Sequence, residues 1–379
     1  MPLPSLYVLR SAKIRDSMRV HIDDQVFSFQ TYGGISRYFF ELMRAYQLDP
    51  SLGIELDFPR IWTRTHALQE CGMGRKVPAL LGKRRRLIRW MNRQLLANEP
   101  VEVVHHTSYD PSYLRRLNPT QLRAITIVDM IPERYPELFP GGNPHRGKKA
   151  CVEGADLIFC ISEATRRDLI KFYGQPDAPL VVTPLGVNPD FDPDAARPEA
   201  VPERYILFVG ARIGYKDFSV LAKAYAQADL DAEIKLMVVG GGPLKPREKA
   251  SLKDLGIADR VVWASLSDSE LAGAYANALA FVFPSRWEGF GIPTLEAMAS
   301  GCPVILASSS AHLEVGGDAA LFFPPGEVTE LARRLNEVAS DEALRAESSR
   351  RGQARAARFT WEETARLTAD AYRTCSASR

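Results

Sequence analysis

The runs "ILFVG", "KLMVVG" and "AFVFPS" are apolar almost without interruption, with no alternation of polar and apolar side chains. A strand with one wet face alternates; an unbroken run needs cover on both faces, as in a parallel sheet flanked by helices. Comparable short runs recur along the chain. In the first half they fall at residues 19–23, 102–105, 124–128, 157–161 and 180–183. The second half has them at 205–209, 235–239, 261–263, 280–283, 304–306 and 320–322. Amphipathic patterns such as "ISRYFFELMRAYQ" and "FSVLAKAYAQA" lie between them, so the chain reads as successive βαβ units of an α/β protein.

The clearest break is "GVNPDFDPDAARPEAVPER", rich in proline and aspartate and without apolar period. It predicts a linker over 191–204, between a Rossmann-like domain at 18–190 and another at 205–360. "TWEETARLTADAYRT" predicts a terminal helix within 361–379, and the sequence leaves open whether it returns to the first domain. The first strand begins beside Met18, so residues 1–17 read as an extension. A length of 379 residues suffices for two such domains. Ligands of these sheets lie beyond the carboxyl ends of the strands. Two parallel-sheet domains facing each other would therefore line a cleft with their strand-to-helix loops.

Composition excludes several classes. A net charge of +2 argues against a nucleic-acid binder. The five cysteines form no CxxC or metal-like spacing, which fits a reducing cytoplasm. No apolar run is long enough to span a bilayer, and the N-terminus lacks the pattern of a signal peptide.

The chemistry concentrates in a few stretches. "WEGFGIPTLEAMASG" places Glu288 before a glycine turn and Glu296 eight positions later on the following helix. The amides of Phe290, Gly291 and Ile292 open that helix and suit a phosphate. A sugar linked through diphosphate to a ribose offers hydroxyls, phosphates and hydroxyls again, which matches the order Glu288, amides, Glu296. Arg212 and Lys216 follow the first strand of this half, where two cations would neutralise a diphosphate. Gly241, in "VVGGGPLK", allows close backbone approach. Singly, each of these reads as easily as a cap, a solvated charge or a common turn; together they favour a site. No G-x-G-x-x-G or P-loop is present.

In the first half, Gly33 and Gly34 open a helix and would present bare amides opposite the phosphate site. His105 and His106 end one strand and Asp129 ends the next. Adjacent histidines on a strand point apart, which disfavours a metal. "DFDPD", residues 190–194, lacks a preceding strand and reads as linker charge. From Arg75 to Asn98 the chain is basic without an acid, interleaved with leucines and Trp90. That stretch reads equally as an anionic membrane contact or as a helix with a solvated basic face.

These motifs resemble glycosyltransferase family 4, retaining enzymes of GT-B fold that use nucleotide sugars. The likeness covers nearly the whole chain from Met18. "EGFGIPTLEA" is similar to the family's Glu-x7-Glu motif, "VGARIGYKDF" to its donor-phosphate segment, and "TYGGISRYFFEL" to its N-terminal glycine loop. "CISEATRRDLI" and "VTPLGVN" are typical of the end of its first domain, and "HHTSYDPSY" resembles members that build bacterial surface polysaccharide. The resemblance implies a metal-independent hexosyltransferase without cofactor. A mannose-type donor is favoured, on GDP rather than UDP, with a glycan or lipid-linked acceptor in O-antigen or lipopolysaccharide synthesis. It implies Glu288, Arg212, Lys216 and Asp129 at the reaction centre. Many members carry His-Asp where this chain has Val128-Asp129; that histidine often contacts the transferred sugar, and His106 is the substitute here. The residues leave two rivals: a nucleotide-sugar epimerase and a binding protein without catalysis. Donor incubated alone separates the first, since an epimerase would isomerise it; donor binding without turnover marks the second.

Overall fold

The computed structural model describes residues 17–31, 33–78, 84–93, 101–114 and 119–379. The extension expected at residues 1–17, Ser17 aside, and parts of the 75–98 segment lie outside these. The chain divides into two compact units, Met1–Leu185 with Trp361–Arg379, and Gly186–Thr360.

In the first unit, β1 (Met18–Ile22) and β2 (Ile54–Asp57) lead into a small parallel pair, β3 (Ile61–Thr63) and β4 (Gly74–Lys76). The main sheet continues with β5 (Val103–His106), β6 (Leu122–Ile127), β7 (Leu157–Cys160) and β8 (Leu180–Val182). Its order is β2-β1-β5-β6-β7-β8, and every pairing is parallel. The second unit holds β9 (Tyr205–Val209), β10 (Lys235–Val239), β11 (Val261–Ala264), β12 (Ala280–Phe283), β13 (Val304–Ala307) and β14 (Leu321–Phe323). These are parallel too, in the order β11-β10-β9-β12-β13-β14. The unbroken apolar runs have the reason expected of them: Ile206, Leu207, Phe208, Phe281, Val282 and Phe283 are all fully buried, on alternating faces of one sheet.

The proline- and aspartate-rich segment is not a free linker. It belongs to the second unit, where Phe191 and Val201 are buried in its core and Asn277 Nδ2 donates to Ala195 O at 3.1 Å. Two apolar anchors in nineteen residues give no period to read, yet they suffice to hold irregular chain down. The terminal helix, Trp361–Ala377, packs in the first unit beside the Gly34–Leu48 helix, with Tyr38 and Trp361 rings 6.3 Å apart.

His105 belongs to that packing. Its Nδ1 is 2.5 Å from Tyr372 Oη on the terminal helix and its Nε2 is 2.8 Å from Thr126 Oγ1. Burial, helped by neighbouring His106, pushes its pKa down to about 3. An unfolded histidine titrates near 6.5, so unfolding binds a proton between those values and stability falls as pH drops through 6.5. His105 alone should weaken folding by about 2 kcal/mol between pH 7 and pH 5. Urea unfolding at the two pH values checks this; equal midpoints would contradict a neutral buried imidazole.

Candidate functional site

In the second unit the strand order reverses between β9 and β12, and the crevice beyond their carboxyl ends is where such sheets take ligands. The loops leaving these two strands are fastened together. Arg286 N donates to Tyr215 O at 2.8 Å, and the Arg286 guanidinium holds Asp217 bidentately at 2.6 and 2.8 Å. Asp217 has φ 48°, and it is the non-glycine residue in the left-handed region among those described. The clamp keeps it there.

One residue earlier, Lys216 ends a short turn (Gly214–Lys216) and its Nζ donates to Glu288 Oε1 at 2.6 Å. The ammonium lies 4.9 Å from the Phe283 ring centroid, and the two side chains are 16% and 10% exposed. Such a site is nearly dry, so the charges act at greater strength than in water. Glu288 Oε2 has no protein donor among the described residues. Next, Gly291 (φ 97°) caps the helix Ile292–Ala299, with proline in the first turn. The amides of Phe290, Gly291 and Ile292 donate to no protein acceptor among the described residues. Glu296 sits on that helix, 4% exposed, and accepts from Tyr275 Oη at 3.4 Å.

Arg212 stands differently from the expectation of a diphosphate grip. Its Nε donates to Glu248 at 2.8 Å, and its terminal nitrogens donate to the carbonyls of Gly240, Gly242 and Pro243 at 2.8, 2.8 and 3.1 Å. In this arrangement the guanidinium closes the glycine turn. Gly240, Gly241 and Gly242 all have positive φ, and a Cβ on Gly241 would come within 2.9 Å of Arg212 and 3.1 Å of backbone. The three glycines are needed for the turn to wrap that side chain.

Sequence reasoning missed a group beside Gly291. His312 is fully buried, with Nδ1 3.0 Å from Ala307 O and Nε2 unpartnered. Thr294 Oγ1, Ser309 Oγ and Ser285 Oγ are likewise buried and unpartnered. A polar residue just after a buried strand is a weak signal, and no spacing rule singles these out.

The first unit reverses its order at β1 and β5. The two neighbouring histidines take separate partners, as their alternation requires. His106 Nδ1 is 2.8 Å from Asp23 Oδ2, while its Nε2 is buried without a partner. Asp23 also accepts from Thr107 Oγ1 and Gln25 Nε2, both at 2.6 Å. Burial alone would raise this carboxyl, but the bonds from His106, Thr107 and Gln25 hold it below its ordinary value. It therefore stays an acceptor, which turns Nδ1–H of His106 toward it and leaves Nε2 facing away. Asp129 is separate: its Oδ1 caps Ile131 N at 3.0 Å, its carbonyl accepts from buried Lys148 at 2.9 Å, and no hydrogen bond joins it to His106. Gly33 caps the Gly34–Leu48 helix, but Gln30 Oε1 already accepts from Ser36 N at 2.9 Å, so part of that terminus is satisfied.

Within the basic segment, the helix Arg85–Arg93 buries Ile88 and Asn92. Asn92 Nδ2 donates to Asp24 at 2.7 Å and Arg89 pairs with Asp110 at 2.8 Å, while Trp90 is 58% exposed. No described helix is long and apolar enough to cross a membrane. Among the described residues, no three His, Cys, Asp or Glu side chains are grouped to hold a metal ion.

Residues 32–191 match Glycosyltransferase Family 4 and residues 192–355 match Glycosyl transferases group 1. The chain is 28% identical over 268 residues to the Escherichia coli O-antigen chain mannosyltransferase B, covering 66% of this chain and 70% of that one. It is 32% identical over 222 residues to the MMP alpha-(1->4)-mannosyltransferase of Mycolicibacterium hassiacum, covering 57% of this chain and about half, 53%, of that relative. Sucrose-phosphate synthase from Thermosynechococcus elongatus superposes with a TM-score of 0.73 at 19% identity, over 96% of this chain and all of that one. The two matched regions together run from residue 32 to residue 355, and the parallel sheets are those of the GT-B fold. The chain is a glycosyltransferase, in which a Glycosyltransferase Family 4 region is followed by a Glycosyl transferases group 1 region.

Proposed function

We propose that this enzyme moves a mannose-type hexose from a nucleoside-diphosphate sugar, GDP favoured over UDP, to a glycan or lipid-linked acceptor of a bacterial surface polysaccharide. The reading rests on the Lys216–Glu288 pair beside the unpartnered amides of Phe290, Gly291 and Ile292 at the strand-order reversal. The mannosyltransferase names of the relatives support the sugar, and the O-antigen name of one supports the acceptor class.

In this reading Lys216 and the three amides hold the diphosphate, Glu288 Oε2 accepts from a hydroxyl of the sugar, and Glu296 accepts from the ribose. Arg212 acts from behind by shaping the glycine turn. In the first unit, His106 stands in for the family histidine absent at Val128, and Asp129 orders the neighbouring loop. Retention follows when the acceptor hydroxyl attacks the anomeric carbon on the face the diphosphate leaves. The carbon–oxygen bond to phosphate breaks, the new glycosidic bond forms, and the acceptor's proton passes to the departing phosphate oxygen. The protein's part is positioning and stabilising charge on the leaving group.

Such chemistry needs no metal, so activity persists in EDTA; loss restored by manganese would instead make His106 and Asp129 candidate ligands. The helix Arg85–Arg93 supplies surface attachment, with Trp90 entering the headgroup layer and each basic residue contributing about 1 kcal/mol near anionic lipid. Co-sedimentation with anionic vesicles should fall with salt, and should disappear when Arg84, Arg85 and Arg86 become Gln and Trp90 becomes Ser. Undiminished binding of that variant would reduce the segment to a solvated face. The direct test of the function is product analysis with GDP- and UDP-hexoses and a lipid-linked acceptor. Transfer with an unchanged anomeric configuration supports the reading; isomerised donor without transfer overturns it.

A further inference from the structure

We propose that His312, with Thr294, reads a hydroxyl of the transferred sugar from beneath the Gly291 turn, making the pair a specificity determinant of the donor site. The inference rests on the donor reading above. Four buried side-chain atoms without partners, His312 Nε2, Thr294 Oγ1, Ser309 Oγ and Ser285 Oγ, lie on the loops and helix starts that follow β12 and β13. A buried polar atom left unpaired is costly, so a cluster at the ligand edge of a sheet marks where a polar group is taken up.

Two of the four share one small space. A Cβ placed on Gly291 would lie 3.5 Å from Thr294 Oγ1, 3.6 Å from His312 Cδ2 and 3.6 Å from Phe283 Cε1. That is ordinary contact distance on three sides, room for one heavy atom. Glycine's bare Cα faces it. An oxygen entering there meets a hydroxyl, an aromatic edge and the Cδ2 corner of the imidazole, whose next ring atom is the unpartnered Nε2.

The protonation of His312 selects what kind of oxygen. Ala307 O can only accept, so the 3.0 Å contact fixes the proton on Nδ1 and leaves Nε2 an acceptor. Burial pushes the imidazole down to about 4, against the pull of Glu288, so it remains neutral at ordinary pH. A phosphate oxygen, itself an acceptor, gains nothing from that lone pair. A hydroxyl satisfies it, and its own oxygen can accept from Thr294 in return. Phosphate on the amides and hydroxyl on His312 would then be read by different atoms of one turn.

The experiment compares a nucleoside-diphosphate hexose with its monodeoxy counterparts in wild type, His312→Phe, His312→Gln and Thr294→Val, measuring kcat/KM. It also measures binding of the plain nucleoside diphosphate, and the melting temperature of each variant. Wild type should reject one deoxy sugar by on the order of 10- to 100-fold. His312→Phe should lose most of that discrimination at one hydroxyl only, and His312→Gln, which keeps an acceptor, should recover part of it. Thr294→Val, close in volume, should weaken the same discrimination without unfolding the helix start. Nucleoside diphosphate binding should stay within about twofold in all of them. Unchanged discrimination in His312→Phe and Thr294→Val, with nucleotide binding intact, overturns the proposal and leaves the space to a buried water. Failure of wild type itself to bind the nucleoside diphosphate refutes the donor reading, and this inference with it.

Discussion

Lys216→Ala should lower kcat/KM for the nucleotide-sugar donor by about 2–4 kcal/mol, or roughly 30- to 1,000-fold. The ammonium is 16% exposed and fixed between Glu288 and the Phe283 ring, so its charge is little screened where a diphosphate would gain negative charge. Removing it also leaves Glu288, 10% exposed, as an uncompensated carboxylate facing that anion. The double variant Lys216→Ala, Glu288→Gln separates the two effects. If repulsion contributes, nucleotide binding recovers partly while the rate does not. Initial rates with varied donor decide it, and a Lys216→Ala enzyme with unaltered kcat/KM would take this residue out of the site.

A second large effect is expected in the first unit. Lys148→Met should destabilise it by about 3–5 kcal/mol, because the change breaks a buried pair from one side only. Lys148 is fully buried, with Nζ 3.0 Å from Glu133 Oε2 and 2.9 Å from Asp129 O. Burial pushes Glu133 up, but Lys148, Tyr173 and Asn143 together hold it below the ordinary carboxylate range, so removing the lysine takes away the largest support of a buried carboxylate. For a unit of this size each kcal/mol is worth roughly 2–4 °C, so Tm should fall by roughly 6–20 °C. Adding Glu133→Gln should restore part of the loss. The loop carrying Asp129 loses its tether in either variant, so any effect on activity would follow from position and not from direct contact. A Lys148→Met protein melting with wild type would show that solvent reaches this pair.

The fold was legible because its information is local. Unbroken apolar runs can only be strands covered on both faces, and all eleven runs read as strands lie in the two sheets. The strands that escaped, β2, β3 and β4, are three or four residues long and mixed in polarity, as in "IELD" and "GRK". They stand as strands because a neighbour's backbone is there to pair with, which no window of sequence contains. The segment 186–204 escaped for a related reason: Phe191 and Val201 act as anchors only once a core exists to receive them.

The site was legible where the motif is contiguous. "WEGFGIPTLEA" carries its turn, its helix start and both glutamates in one stretch. What the sequence could not show was pairing across loops. Arg212 and Lys216 look alike four positions apart, yet one clasps a glycine turn and the other meets Glu288. Nor could it show which of two adjacent histidines is wired into the core: His105 bonds Tyr372, 267 positions away, and leaves His106 with the free nitrogen. His312 carries no motif at all and is found only by the partner it lacks.

The most direct test of the account is a crystal structure of the enzyme with a nucleoside diphosphate. The account predicts phosphate oxygens within about 3 Å of Lys216 Nζ and of the amides of Phe290, Gly291 and Ile292, with the ribose hydroxyls at Glu296. A diphosphate bound elsewhere, with Lys216 still on Glu288 and those amides facing no phosphate, would contradict it.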